Sequence, residues 1–319
     1  MDYGGATRKN RLPCGLFTSK SAVWRIARMR IWNVGLRSLV PLLILGMVSL
    51  AGCMPKEVPP PPEKPVKVAV VLGAGAAKGF AHVGVLKVLE ANRIPINMIV
   101  GTSAGSFVGS LYAYGFNAFQ LHKIALGIEQ GELADFTLPD NGFIKGEKLE
   151  GYVNRMLRNT PMEKLRIPFY AVATDIQSGR EMVFGTGNTG SAVRASCSIP
   201  GVFAPQVIGG RMYVDGGVVS PVAVDAARRQ GADVVIAVDI SGDGEAPKPQ
   251  GTLSTILQAI GLMYERISAN QLQRADVVIR PRVGFIGSAD FSKRNEAVLE
   301  GERAATAALP AIRAALSRR

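Results

Sequence analysis

The sequence predicts a three-layer α/β fold, with helices covering both faces of a mainly parallel central sheet. Three observations predict it. Apolar runs of strand length alternate along the chain with stretches of helical character. Several of those runs, 67–72 and 233–238 among them, are apolar in every residue but the first, as strands buried on both faces are. The first two strands each pass into a helix through a glycine-rich corner, Gly73-Ala74-Gly75-Ala76-Ala77-Lys78-Gly79 and Gly101-Thr102-Ser103-Ala104-Gly105.

The chain has 319 residues, 47% hydrophobic, enough for one large domain or two small ones. Its net charge of +12 is weak support for nucleic-acid binding, because eight Lys and Arg residues against Asp2 alone lie in 1–52. There, a basic stretch precedes the apolar run 39–50 and the small residues before Cys53. At 12 residues the run is short for a transmembrane helix, which needs about 20. The order is that of a secretory signal, 1–52. Leu50-Ala51-Gly52-Cys53 also resembles the bacterial lipobox. That resemblance implies that Cys53 becomes the lipidated first residue of a membrane-anchored protein in the bacterial cell envelope. Met54, rather than Asp, then implies the outer membrane, facing the periplasm. A start at Met29 would give a signal of ordinary length, so 1–28 reads as an over-extended start. Peptides from that stretch in cells would refute this. With Cys14 and Cys53 in the signal and anchor, Cys197 stands alone, which excludes a disulfide framework and a cysteine-rich zinc site. It reads as a small buried residue rather than a nucleophile.

Residues 53–66 hold the proline-rich spacer, with six prolines between Met54 and Pro65, extended rather than packed. It reads equally as a stalk or as a stretch without mechanical purpose. A single domain follows over 67–319, with no internal repeat. Its elements are a strand at 67–72, a helix at 80–91, a strand at 96–100 and helices at 103–114, 117–127 and 147–158. Strands at 169–174 and 181–184 precede a short helix at 190–196. Strands at 202–208 and 211–214 flank a Gly209-Gly210 hairpin. A helix at 222–230, the strand 233–238, a loose 241–251, a long helix to 270, a strand at 275–279 and a closing helix at 293–317 complete the chain.

The second corner carries Gly-x-Ser-x-Gly between a strand and a helix, the context in which a serine hydroxyl stands clear of the backbone as a nucleophile. The helix amides behind it favour developing negative charge. Alone, the pattern fits an incidental serine in a glycine turn as well. For the first corner three readings compete. A dinucleotide fingerprint fails because Lys78 replaces its third glycine and no acid closes the second strand. A P-loop fails because the order is Lys-Gly. The third reading is a turn whose backbone amides face an oxyanion. Lys78 then orients the loop, meets an anionic head group or is merely solvated. Ser103 needs a proton acceptor. The only histidines are His82 and His122, and the order Ser, acid, His of a hydrolase triad is not met. His82 reads as a packing residue. Asp215, in Asp215-Gly216-Gly217 at a strand end, is the other candidate; its competing reading is a common Asp-Gly turn.

Taken together, these motifs resemble the patatin-like phospholipases. The glycine loop matches the family's Gly-Gly-Gly-x-Lys/Arg-Gly at Ala74 to Gly79. The elbow matches at Gly101-Thr102-Ser103-Ala104-Gly105, and Asp215-Gly216-Gly217 follows in order. Arg194 to Phe203 and Gly79 to Gly84 also look like this family. The resemblance implies a patatin-like fold and a Ser-Asp dyad that hydrolyses acyl esters of membrane phospholipids or lysophospholipids without metal or cofactor. Ser103 would be the nucleophile and Asp215 the base. The amides of Gly75 and Ala76 would form the oxyanion hole, with Gly73, Lys78, Gly79, Gly101, Gly105, Gly216 and Gly217 completing the motifs. Ala74 and Ala76 depart from the family's glycines. Their amides survive, but the added Cβ atoms would narrow the hole or require a negative φ. A lipoprotein that keeps this fold for lipid binding or scaffolding is the alternative.

Overall fold

β1 (Val68–Leu72) lies at the centre of the sheet, between β2 (Met98–Thr102) and β7 (Val234–Val238), parallel to both. In the computed structural model, residues 65–137, 142–241 and 248–318 are described. The signal, Cys53 and the proline spacer lie outside them. The strand order is β5-β6-β3-β2-β1-β7-β8, with β4 paired to β3 off this path. β3 (Phe169–Asp175) is parallel to β2, and β8 (Val277–Ile279) to β7. β4 (Glu181–Phe184), β5 (Gln206–Ile208) and β6 (Arg211–Asp215) form the antiparallel margin.

The uninterrupted apolar character of β1 has a direct cause. Val68, Val70 and Leu72 point into one core, and Ala69 and Val71 into another. Three helices cover the first face: α1 (Phe80–Ala91), α2 (Ala104–Tyr114) and α9 (Arg294–Ser317). α7 (Val224–Arg229) and the end of α8 (Thr252–Leu272) cover the second. The remaining helices are α3 (Ala118–Gly127), α4 (Gln130–Leu133), α5 (Glu147–Met156) and α6 (Thr189–Cys197). Arg294 donates to the carbonyls of Ala125, Leu126 and Ile128, tying the end of α3 to the start of α9.

The expected strand 202–208 is shortened to Gln206–Ile208, because the Val202 carbonyl accepts the amides of Phe143 and Ile144 from a distant loop. α7 begins two residues later than the expected 222, where Gln271 Oε1 takes the Val222 amide at 3.1 Å. α4 was not expected; a reciprocal cap between Glu129 and Glu132 forms its single turn.

Candidate active site

Both glycine corners sit at the carboxyl ends of adjacent parallel strands, β1 and β2, where open α/β sheets place ligands. The antiparallel margin supplies the third piece. Ala171 pairs with Gly101 of β2 on one side and Phe184 of β4 on the other, and Ala173 pairs with Asp215 and Met182. β2 and β6 therefore share one edge of β3 end to end. Val172 pairs with Thr102 and its neighbour Ala173 with Asp215, so the end of β6 is brought up against the elbow.

Ser103 caps α2 with φ 53 and ψ −123, a left-handed conformation that a non-glycine residue adopts only when its surroundings impose it. Those surroundings are visible. Its amide donates to Ser196 Oγ at 2.9 Å, and that hydroxyl donates onward to the Val172 carbonyl at 2.6 Å. A Cβ on Gly105 would lie 2.0 Å from the Leu72 carbonyl oxygen, so only glycine lets α2 start this close to β1. A Cβ on Gly101 would meet Ser106 Cα at 2.5 Å, which keeps the corner sharp.

Asp215 is fully buried. Its Oδ1 accepts the Gly217 amide at 2.7 Å, its own amide donates to the Ser198 carbonyl, and its carbonyl accepts Thr174 Oγ1 at 3.0 Å. Oδ2 makes no hydrogen bond of ordinary geometry among the described residues, although the Ser103 hydroxyl and the Tyr264 phenol lie close enough to act on it. Burial pushes the carboxyl up to about 6, against the opposing pull of the Ser103 hydroxyl, the Gly217 amide and the Tyr264 phenol. A Cβ on Gly216 would strike the Val172 carbonyl at 2.2 Å, so this turn too is pressed against β3. Cys197 lies in the same cluster. Burial, and then the nearby Asp215, push its thiol far above the usual range, so it remains an inert thiol.

In the first corner the amides of Gly73, Ala74, Ala77 and Lys78 are taken by the carbonyls of Val238, Pro221, Ser288 and Gly75. Those of Gly75 and Ala76 have no acceptor among the described residues. Ala76 has φ 50, so its side chain did not force the negative φ that alanine favours; the loop holds it left-handed instead. A Cβ on Gly79 would lie 2.6 Å from Ala104 Cβ, which brings the loop directly onto the elbow. Lys78 is not solvated: it is buried, and Nζ donates to the Ser241 carbonyl at 2.8 Å. His82 braces the loop from beneath. Its Nε2 meets the Gly73 carbonyl at 2.8 Å, and burial lowers its pKa to about 4, so it is a neutral donor to that carbonyl. His122 is remote, beside Lys87.

Ser103, Ala76 and Ala104 form part of the wall of an apolar cavity of about 220 Å³, otherwise lined by residues such as Phe107, Leu111, Ile124, Leu149 and Leu257. A second, more polar cavity of about 900 Å³ shares Leu257, Ser288 and Ala289 with it and is lined by Lys78, Lys248 and Gln258. Among the described residues no group of His, Cys, Asp and Glu is placed to hold a metal ion. Ser196 and Tyr264 were not singled out in the sequence. Ser196 lies inside the Arg194 to Phe203 stretch, which gave a signal, whereas nothing in the periodicity around Tyr264 did.

The family pattern of patatin-like phospholipases matches residues 70–228. An uncharacterised NTE family protein of Mycobacterium tuberculosis is 32% identical over 206 residues, 64% of this chain and 57% of that protein. Lysophospholipase NTE1 of Pyricularia oryzae is 28% identical over 71% of this chain and 16% of its own length. Patatin-like phospholipase domain-containing protein 6 of Homo sapiens is 30% identical over 69% of this chain and 17% of its own. The chain thus spans little more than half of the first of these relatives and a small part of the others. Among solved structures, VipD from Legionella pneumophila has the same fold, with a TM-score of 0.55 at 13% identity over 77% of this chain and 67% of that one.

Proposed function

Because the chain belongs to the patatin-like phospholipase family, we propose that it is a lipid acyl-ester hydrolase working through Ser103 and Asp215. Ser103 Oγ attacks the ester carbonyl carbon while its proton passes to the Asp215 carboxylate. The carbonyl oxygen takes the negative charge and is met by the free amides of Gly75 and Ala76 and by the amino end of α2. Collapse breaks the bond to the alcohol, which leaves with the proton from Asp215. Water, deprotonated by the same carboxylate, then releases the fatty acid. A carboxyl raised to about 6 is ionised at neutral pH, yet accepts a proton more readily than an exposed aspartate.

The observation that carries this reading is a buried carboxyl, Asp215, within reach of the hydroxyl of Ser103, which itself lines an apolar cavity. The cavity suits an acyl chain, and the adjoining polar cavity suits the head group of a phospholipid or lysophospholipid. A lipidated Cys53 would hold the enzyme at the bilayer of the cell envelope that contains its substrate. Mass analysis of the mature amino terminus tests that anchor. The competing reading, a silent lipid-binding scaffold, rests on Ala74 and Ala76 in the loop. Hydrolysis of p-nitrophenyl butanoate and of lysophosphatidylcholine by the wild type, Ser103→Ala and Asp215→Asn decides between them. Loss of turnover in both variants is expected. Equal rates in all three, or none in the wild type, would favour the scaffold.

A further inference from the structure

Two buried polar atoms among the described residues lack a hydrogen-bond partner and lie in the same cluster: Asp215 Oδ2, an acceptor, and Tyr264 Oη, a donor. Tyr264 comes from α8, is 6% exposed, and packs against Gly217 of the Asp215-Gly216-Gly217 turn. A Cβ on Gly217 would fall 2.2 Å from Tyr264 Cζ and 2.7 Å from its oxygen, so the glycine makes room for the phenol. The Gly217 amide already occupies Oδ1, so Oδ2 is the oxygen left to the tyrosine and to Ser103. α8 is fixed against this segment a second time, two turns on. Gln271 accepts the Val222 amide at 3.1 Å and donates to Ser220 Oγ at 3.1 Å and to the Val219 carbonyl at 3.3 Å. The same face of one helix thus grips both ends of the turn that carries Asp215.

We propose that Tyr264 is a positioning residue for the hydrolysis: its phenol donates to Asp215 Oδ2, which holds the carboxylate toward Ser103 and favours its ionised form. The inference rests on the Ser103–Asp215 reading. The groups that act on the Asp215 carboxyl, apart from its burial, are the Ser103 hydroxyl, the Gly217 amide and the Tyr264 phenol, none of them a Lys, Arg, His or second carboxylate. The groups facing it are the Ser103 hydroxyl from the elbow, the Cys197 thiol from α6, the Gly217 amide and Tyr264 itself. The thiol and the phenol both titrate far above neutrality, so any acid limb in the rate near pH 6 reports the carboxyl.

The test is the pH profile of kcat/KM for p-nitrophenyl butanoate in the full chain and in Tyr264→Phe, which keeps the ring on Gly217 and removes only the hydroxyl. Without the donor the carboxylate loses stabilisation, and the acid limb moves up by about one pH unit, the worth of a hydrogen bond to a charged group. Below the limb the variant is then about tenfold slower, with KM little changed. Tyr264→Leu, which also vacates the ring's volume, lowers thermal stability as well; if Tyr264→Phe fails to fold, the limb is measured in Tyr264→Leu below its melting temperature, and the same upward shift is expected. A profile that overlays the wild type, or moves to lower pH, overturns the proposal. Ser103→Ala is run alongside. If it abolishes turnover while Tyr264→Phe matches the wild type, only the role of Tyr264 fails. If Ser103→Ala remains active, the dyad itself fails.

Discussion

Ser103 and Ala76 hold left-handed φ values of 53 and 50, and both belong to the site. Strain of this kind costs about 1–3 kcal/mol and persists only where neighbours over-determine it. At Ser103 the neighbours are Ser196 and the close start of α2. Two variants that both lack the Ser103 hydroxyl separate strain from chemistry. Ser103→Gly removes the Cβ that opposes this φ, whereas Ser103→Ala keeps it. Ser103→Gly is expected to be the more stable by about 1 kcal/mol in denaturant unfolding, after the extra freedom of glycine in the unfolded chain is counted. Equal stability would show that the elbow is relaxed. Asp215 stores cost in another form. Its folded value of about 6 lies above the ordinary 3.8, so the unfolded chain loses its proton first. Stability from this group is complete below pH 4, falls as pH rises toward 6, and stays lost above, to a total of about 3 kcal/mol. Asp215→Asn is therefore expected to be more stable than the wild type at pH 8 and to lose that advantage at pH 4, read from unfolding midpoints. An advantage that does not shrink on acidification would mean that the carboxyl is not raised.

Elements in this fold approach one another through glycine. A Cβ on Gly84 of α1 would lie 1.9 Å from the Val298 carbonyl oxygen of α9, and one on Gly301 of α9 would lie 2.0 Å from the Ala81 carbonyl oxygen of α1. The two helices meet backbone to backbone there. Gly84→Ala must push them apart and is expected to cost at least about 3 kcal/mol. Gly261, inside α8, has nothing within 4 Å of the corresponding position, so Gly261→Ala is expected to gain about 0.5–1 kcal/mol. Thermal melting of the two variants checks the contrast, and a similar shift in both would contradict it. The sequence shows why α1, α2 and the apolar strands were legible: each announces itself through local period and composition. Ser103 and Asp215 were legible because strand-end glycine motifs mark them. The junction that unites them was not, since it depends on β3 sharing one edge between β2 and β6, a pairing of residues far apart in the chain. Tyr264 was hidden for the same reason. On its own helix it is one aromatic between Met263 and Glu265, and only the turn at Gly217 gives it a role.

At the scale of the whole molecule, the sheet brings Ser103 and Asp215 to one end, and residues of several helices, α8 among them, enclose the cavity that Ser103 lines. Residues as distant as Ala76, Leu149 and Leu257 line that cavity, so no window of sequence displays it. Its volume of about 220 Å³ exceeds the ~150 Å³ of an apolar cavity that admits benzene, and its wall is apolar apart from a few residues, Ser103 among them. If an acyl chain fills it, selectivity for chain length should depend on this volume rather than on the dyad. Val108 is 7% exposed and lines the cavity one turn along α2 from the elbow. In Val108→Trp the indole would occupy space otherwise open to distal methylenes, while the carbonyl end beside Ser103 stays clear. kcat/KM for p-nitrophenyl hexadecanoate is expected to fall at least roughly tenfold, since methylenes excluded from a hydrophobic pocket are each worth about that much. The butanoate ester, too short to reach the indole, should keep its rate, and Ile124→Trp, from α3 on the same wall, should act likewise. If both esters slow together, the substitution has disturbed the elbow. If neither slows in either variant while the protein stays folded, the acyl chain lies elsewhere.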